Sequence, residues 1–424
     1  MREAGRVVTP GSTLARHRPR TGGLHEVGPL WARWNRGLQR RYTLGIEEEL
    51  MLLQPGSCSL AQASDQVVAQ LSSELSFHAL PETHAAVIEL RTGIHTHVDG
   101  GLAELATLRR RLADELSALG LSVAAAGTHP LAVADETTVS GAARYQLLGD
   151  SLRSLARREP TMALHVHVGV PDPEDAIRVL NGLRSSVPML IALSANSPYL
   201  RGSDGGFDSM RTTVFQAFPR TGAPPAFDNY ADYVGALDPV IRAGAVPDSS
   251  FFWWDVRPQP ALGTVEVRVM DAQSTIADVA PLVALIQSLA RLQLEGDDDA
   301  SRQPPPSAEV LAENRFLAAR DGMAARLIEP VSGRLTPVAE MVEALLDACR
   351  PHAVKLGCAA DLERVRVLAA ANGAARQRAV TAARGGLGHV VPDLVTRFLA
   401  PDRHALHAPS PSLVTDHHTN ERSG

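Results

Sequence analysis

Thr161-Met-Ala-Leu-His-Val-His-Val-Gly-Val170 and Tyr42-Thr-Leu-Gly-Ile-Glu-Glu-Glu-Leu-Met-Leu-Leu53 are the stretches that decide the fold. Successive side chains of a strand point to opposite faces, so strict alternation of apolar and polar residues marks a half-buried strand. In the first stretch Met162, Leu164, Val166, Val168 and Val170 oppose His165 and His167. In the second, Ile46, Leu50 and Leu52 oppose Glu47 and Glu49, and Glu48 shares the apolar side as a flaw in the pattern. Two further stretches alternate in the same way. Ile88 and Leu90 oppose Val87, Glu89 and Arg91 within Ala86–Arg91, and Val265, Val267 and Val269 oppose Glu266 and Arg268 within Thr264–Met270. Each strand thus has an apolar back and a front carrying Glu, His or Arg. A parallel doubly wound sheet would be apolar on both faces. The pattern predicts an antiparallel or mixed sheet with helices packed on one face, which is the α+β class.

Helices are expected where leucines recur at period 3.6. Leu102, Leu105, Leu108, Leu112, Leu116 and Leu119 form one such stripe over 101–119. Segments 174–195, 277–294, 307–321, 337–349 and 374–384 have the same character, with Pro188 expected to kink the first of them. The low-complexity stretch Glu295–Pro306 is the one clear break between Tyr42 and Ala400, and residues 307–400 read almost wholly helical. Residues 42–400 are therefore expected to form a single catalytic domain. Residues 1–41 carry nine arginines against Glu3 and Glu26 and read as a basic disordered arm, and 401–424 reads as a disordered tail.

Composition removes several mechanisms. Of the 41 basic residues only Lys355 is a lysine, and it lies in Val-Lys-Leu-Gly, so the Gly-Lys-Ser/Thr phosphate loop is absent. Pyridoxal-phosphate chemistry would depend on that same lysine, and no Gly-x-Gly-x-x-Gly follows a strand. Phosphate, if handled, falls to arginine and metal ions. Cys58, Cys349 and Cys358 are too few and too scattered for a disulfide framework. No stretch reaches the ~18 consecutive apolar residues of a membrane span, and the first residues lack the apolar core of a secretion signal. A cytoplasmic protein with no membrane is the expectation. The net charge of −6 argues against nucleic acid as the partner.

The strand fronts supply the chemistry. Carboxylates brought to about 5 Å repel by about 3 kcal/mol per pair at an effective dielectric of 20. A cluster of them persists only with protons or cations among them. Oxygen-rich sites with one or two imidazoles favour Mg²⁺ or Mn²⁺ over zinc, and Mg²⁺ commonly completes its shell with substrate phosphates, which points to ATP. The alternative reading is a zinc amidase or hydrolase that uses His165 and His167 with His129, His95 or Glu266 as third ligand. His95 and His97 fall in an apparent loop and carry no assignment, and His167 carries none beyond the zinc alternative.

Several spaced motifs resemble one family. They are Tyr42-Thr-Leu-Gly-Ile-Glu-Glu-Glu-Leu50, Glu89-Leu-Arg-Thr-Gly93, Ala126-Gly-Thr-His-Pro130, Leu164-His-Val-His-Val-Gly-Val-Pro171, Ala192-Leu-Ser-Ala-Asn-Ser-Pro198, Thr264-Val-Glu-Val-Arg-Val269, Glu313-Asn-Arg315 and Asn372-Gly-Ala-Ala-Arg-Gln-Arg378. In this order, across Tyr42 to Ala400, they resemble the carboxylate–amine ligases of the glutamate–cysteine ligase type 2 group. The resemblance implies a glutamine-synthetase-like catalytic fold, in which a curved, mainly antiparallel sheet with helices on its back forms a funnel over metals. It implies ATP and Mg²⁺ (or Mn²⁺) as cofactors, small amino-acid and amine substrates, an acyl-phosphate intermediate and a homodimer. Many members act only weakly on cysteine. Carried over by position, Glu47, Glu49, Glu89, His165 and Glu266 are similar to the family's metal ligands. Arg268 looks like its phosphate-facing arginine, and Arg211 resembles an arginine that steadies the transferred phosphoryl or the amino acid. Pro81-Glu-Thr-His-Ala-Ala86 and Ile94-His-Thr-His97 depart from the family pattern, which bears on the substrate rather than the metals. A non-catalytic nucleotide-binding protein on the same fold is the remaining alternative.

Overall fold

A computed structural model describes residues 28–36, 41–133, 137–296 and 306–400. Most of the expected basic arm, the whole of the expected tail and most of the 295–306 break lie outside the described residues. Seven strands form the main sheet: β1 (Leu44–Leu53), β2 (Ala79–Pro81), β3 (Val87–Arg91), β4 (Ser122–Ala124), β5 (Ala163–Gly169), β6 (Val256–Gln259) and β7 (Thr264–Asp271). Their order is β6-β7-β5-β1-β3-β2, with β4 also pairing β1, and every pairing is antiparallel. The four alternating stretches are the four central strands. Their apolar side chains, Ile46, Leu50, Ile88, Leu90, Leu164, Val166, Val168, Val265 and Val267 among them, are fully buried.

The back of the sheet is covered by α1 (Val98–Ala118), α2 (Pro173–Ser194) and α3 (Ile276–Glu295), which contact β1, β7 and β5 respectively. Local chemistry starts each of the last two at a defined point. Asp172 accepts from the backbone N–H groups of Glu174 and Asp175 ahead of Pro173, and Thr275 caps α3 through Asp278 N. The expected kink residue Pro188 lies inside an α2 that runs from Pro173 to Ser194 without a break. By length and composition α2 and α3 could each cross a membrane, but 78% and 83% of their apolar windows are buried inside the protein. They are core helices, and the sheet takes up their apolar surface.

Among the described residues after 306 the elements are helices except for Arg326–Ile328 and Leu335–Pro337, which pair as a short antiparallel hairpin. Two expectations need correction. The helix expected over 337–349 runs from Val338 to Leu356, past Pro351, and stops where Gly357 adopts φ 75°. Within the segment read as a disordered arm, residues 28–36 are packed on the body. Trp34 donates its indole N–H to Val170 O at 2.8 Å, and Trp31 and Trp34 meet the rings of Tyr233 and Tyr230 edge to face. Aromatic burial anchors this stretch despite its neighbouring arginines.

Glu48 is also not a flaw. It is 0% exposed, and its two oxygens accept from Nε and Nη2 of Arg109 on α1 at 2.8 and 2.6 Å. Arg109 Nη2 also donates to Gln273 O at 2.8 Å, and its guanidinium lies over the Phe398 ring. This buried pair ties β1 to the helical layer from the apolar side.

Candidate active site

Residues 45, 47 and 49 of β1 share the front face, and the register carries each into a row across the sheet. Glu49 stands opposite Glu89. Glu47 stands between Arg91 on β3 and His165 on β5. Gly45 stands opposite His167, which faces Glu266 on β7, which faces Arg257 on β6. Directly opposed side chains have Cβ atoms about 5 Å apart, so the register alone gathers four carboxylates and two imidazoles. Their ligand atoms form three overlapping groups, each within 4.8 Å: Glu47, His167 and Glu266; Glu47, Glu89 and His165; and Glu49, Glu82 and Glu89. All five expected metal ligands are therefore brought together.

Glu82 and His167 join them. Glu82 follows β2, whose three residues are too few to show alternation. His167 repeats the His165 pattern two positions on, and Thr264 Oγ1 lies 2.9 Å from its Nδ1, which aims Nε2 at Glu47 and Glu266 (3.5 and 3.9 Å). His165 lies between Glu47 (3.5 Å from Nδ1) and Glu49 (3.7 Å from Nε2). The Nε2 atoms of both histidines are buried without a hydrogen-bond partner. Glu49 is further held by the Ala163 N–H at 2.7 Å.

Arg257 is a second unexpected member. It binds Glu266 Oε2 through Nε at 2.8 Å, and Gln259 Nε2 donates to the same oxygen at 2.6 Å. A signal for both exists in Val256-Arg-Pro-Gln-Pro-Ala-Leu-Gly-Thr264. Gly263 (φ 66°) ends the turn of a tight hairpin, which puts Arg257 opposite Glu266. Arg268 owes its position to a β-bulge. Between Val267 and Met270 the register with β5 slips, so Arg268 and Val269 together face His165. Arg268 then bonds Glu266 Oε1, with Nη1 3.4 Å from His165 Nδ1.

Arg211 has a place in the frame as well as in the cleft. Its Nη1 and Nη2 donate to Val269 O and Arg268 O at 2.8 and 3.0 Å, so the guanidinium holds the backbone of the bulge. Its Nε is buried without an acceptor, and each Nη keeps a second N–H beyond these bonds. Arg211 and Arg268 line a small cleft with Trp253, Asp255, Val269 and Arg315, in which Arg315 grips both Asp255 oxygens at 2.6 and 3.0 Å.

The charge of the cluster is uneven. Burial and, next, the charge of Glu82 push the Glu49 carboxyl up to about 7, and burial followed by Glu47 raises Glu89 well above its ordinary range. At the other end burial acts the same way on Glu266, but Arg257 and then Arg268 outweigh it and hold that carboxyl well below its usual range. Burial also opposes ionisation of Glu47, and the charge of His167, with both imidazoles 3.5 Å from its carboxylate, overcomes it. Burial lowers His165 to about 4, with Arg268 adding to the effect. At the Glu49–Glu82–Glu89 end the carboxyls of Glu49 and Glu89 therefore keep their protons more firmly than usual, and a cation seated among them would take the place of those protons.

Other motif residues build the frame. Asp271, buried, accepts from Asn196 N, Ser197 Oγ and Ser209 Oγ at 2.8, 2.6 and 2.9 Å. A Cβ on Gly127 would meet its carboxyl at 2.6 Å, so that position requires glycine. Asn372 caps the helix Gly373–Arg384 through Ala375 N, and Gln377 binds Asn196. His129 and His95 lie elsewhere. His129 Nε2 is 2.8 Å from Cys58 O and His95 Nε2 is 2.5 Å from Glu104, and neither belongs to the three groups.

Comparison with known proteins agrees with this geometry. The model of glutamate–cysteine ligase family 2 matches residues 43–393. A Rubrobacter xylanophilus protein named "Putative glutamate--cysteine ligase 2-1" is 37% identical over 355 residues, covering 84% of this chain and 94% of its own. A Gloeobacter violaceus protein named "Putative glutamate--cysteine ligase 2" is 36% identical over 359 residues, covering 83% and 95%. Among solved structures, glutamate–cysteine ligase from Francisella tularensis in complex with AMP superposes with a TM-score of 0.63 at 12% identity, over 86% of this chain and 90% of that one. A bifunctional glutathione synthetase from Pasteurella multocida gives 0.60 at 12% identity, over 86% and 53%. These two likenesses bear out the expected fold class. On the match across its length and on relatives of this identity and coverage, the chain belongs to glutamate–cysteine ligase family 2.

Proposed function

We propose that the front of the sheet is the active site of an ATP-dependent ligase that joins a carboxylate, typically the γ-carboxylate of glutamate, to an amine. The observation that carries this reading is the set of cross-strand rows that gathers Glu47, Glu49, Glu89, His165 and Glu266 beside Arg268, in a chain of this family. The donor set fits divalent cations. Two imidazole Nε2 atoms are buried without partners, and the carboxylates of Glu49, Glu82 and Glu89 crowd together. Oxygens outnumber nitrogens, which favours Mg²⁺ or Mn²⁺. Glu49, Glu82 and Glu89 would hold one cation, Glu47, Glu89 and His165 a second, and Glu47, His167 and Glu266 a third. Such cations supply charge neutralisation for the nucleotide's phosphates and fix their place.

The chain's own groups then position and neutralise. The substrate carboxylate attacks the γ-phosphorus of ATP, the bridging bond to ADP breaks, and an acyl phosphate forms. The amine next attacks the activated carbonyl, phosphate leaves with the bonding pair, and the amine gives up its proton. No protein nucleophile is needed, so alignment and charge account for the rate. Arg268 offers a planar fork to the moving phosphoryl. Arg211 acts through the bulge that it holds.

The zinc-hydrolase reading loses two of its three candidate third ligands, since His129 and His95 are committed elsewhere. The test is an ADP-release assay over a matrix of amino acids and amines, with the product read by mass spectrometry. ADP release that requires both an acid and an amine, in step with a condensed product, is the expected result. Amide hydrolysis without ATP, or nucleotide binding without turnover on any pair, would overturn it.

A further inference from the structure

The two oxygens of Glu266 have different surroundings. Oε2 is locked by Arg257 Nε and Gln259 Nε2, and Arg257 is itself fixed by donating to Ser250 O and Phe252 O at 2.7 and 3.1 Å. Oε1 is the oxygen turned to the cluster, 3.9 Å from both His165 Nδ1 and His167 Nε2. It is also the oxygen that Arg268 Nη1 occupies, and Arg257 Nη2 reaches it only at the long distance of 3.5 Å. Among the described residues Glu266 is the one carboxylate within ion-pair distance of Arg268, with Glu49 and Glu47 acting on it from farther off. Its Nε is buried without an acceptor, and Asp255, the carboxylate in its cleft, is already gripped by Arg315.

We infer that Arg257 and Gln259 are positioning residues that hold Glu266 Oε2 permanently, while Arg268 is an exchangeable cover on Oε1. A divalent cation entering between Glu47, His167 and Glu266 takes Oε1 and releases the Arg268 guanidinium to an anion in the cleft. The inference rests on the metal reading above. A guanidinium and a cation about 4 Å apart repel by at least about 4 kcal/mol at an effective dielectric of 20, so one oxygen does not keep both. In the metal-free site Arg268 neutralises a buried carboxylate that would otherwise be costly. The exchange couples the two ligands: Arg268 becomes available to phosphate only once the metal has arrived, and reciprocally its hold on Oε1 weakens the metal.

The test uses the full chain and Mn²⁺ alone, with free Mn²⁺ followed by electron paramagnetic resonance. Arg268→Met is expected to bind one Mn²⁺ about tenfold more tightly than the parent protein, within the usual range of coupling between sites. Arg91→Met removes the same charge from the same face, 3.8 Å from Glu89, and is expected to change binding less than about threefold. Arg257→Met is expected to weaken Mn²⁺ binding, because Arg268 is then free to take both oxygens of a loosened Glu266. Unchanged affinity in Arg268→Met, or equal gains in all three variants, overturns the exchange. If Arg257→Met fails to fold, Gln259→Leu removes the other Oε2 donor without altering charge and is read in the same way. A crystal structure with Mn²⁺ alone is expected to show Oε1 on the metal and Arg268 Nη1 beyond ion-pair reach, about 4 Å. Arg268 still on Oε1 beside a bound Mn²⁺ would overturn the exchange and spare the metal site, and no Mn²⁺ at Glu47, His167 and Glu266 would overturn both.

Discussion

Replacing Glu48 with Gln should cost about 3–5 kcal/mol of folding stability, although residue 48 never faces the active site. The magnitude comes from its surroundings. Side-chain exposure is 0% for Glu48 and 1% for Arg109, and two charge-assisted hydrogen bonds at 2.8 and 2.6 Å join them. Removing one member of such a pair leaves the other buried and unpaired, a loss of about 3–5 kcal/mol. Arg109 keeps the carbonyls of Gln273 and Ser274, so the lower half of that range is expected. Total stability of a domain is about 5–15 kcal/mol, so the effect is large. Urea denaturation of Glu48→Gln, Arg109→Met and the double variant Glu48→Leu/Arg109→Met measures it. The double variant should be more stable than either single one, because no unpaired charge is left. The functional side of the effect comes from the strand's period of two. Residue 48 pins the register that puts Glu47 and Glu49 on the front, and a slip of one residue would exchange the faces. A loss below about 1 kcal/mol, or a double variant no better than the singles, would refute the reasoning.

Other outcomes are open to simple assays. Glu266→Ala should abolish ADP release while thermal unfolding stays cooperative, and near-normal turnover would remove Glu266 from the metal set. Arg268→Lys should lose at least about tenfold in kcat/KM, because a point charge does not reproduce the planar fork. Gly127→Ala should destabilise by about 1–3 kcal/mol, since the new Cβ would fall 2.6 Å from the Asp271 carboxyl and 2.9 Å from Ser197 Oγ. Burial pushes the Cys349 thiol up to about 12 and Cys358 to about 11, so at pH 8 a thiol reagent should label Cys58 alone until denaturant exposes the other two.

The front of the sheet was legible because four strands are long enough to show a period of two. Glu47, Glu49, Glu89, His165, His167, Glu266 and Arg268 could be gathered on that ground alone. What stayed hidden depends on partners far apart in the chain or on short elements. Glu48 reads as a defect until Arg109, 61 positions away, supplies its counter-charge. Glu82 adjoins a three-residue strand, and Arg257 lies in a four-residue strand that includes Pro258. The bulge at Arg268 and Val269 is silent in the sequence, because the alternation of Val265, Val267 and Val269 continues across it. The hold of Arg211 on the carbonyls that the bulge exposes is silent for the same reason. The hairpin after Ala325 escaped because each of its strands has three residues.

Apart from His167, the cationic side chains at this cluster and its cleft, Arg91, Arg211, Arg257, Arg268 and Arg315, are guanidinium groups among the described residues. A guanidinium keeps its proton at any physiological pH and is not a nucleophile, whereas a lysine amine beside an activated acyl group would compete for it. The chain's single lysine, Lys355, is exposed on the helix Val338–Leu356. A mixed anhydride made on the sheet would therefore meet no side-chain amine among these cations, and self-acylation would not drain the reaction before the intended acceptor arrives.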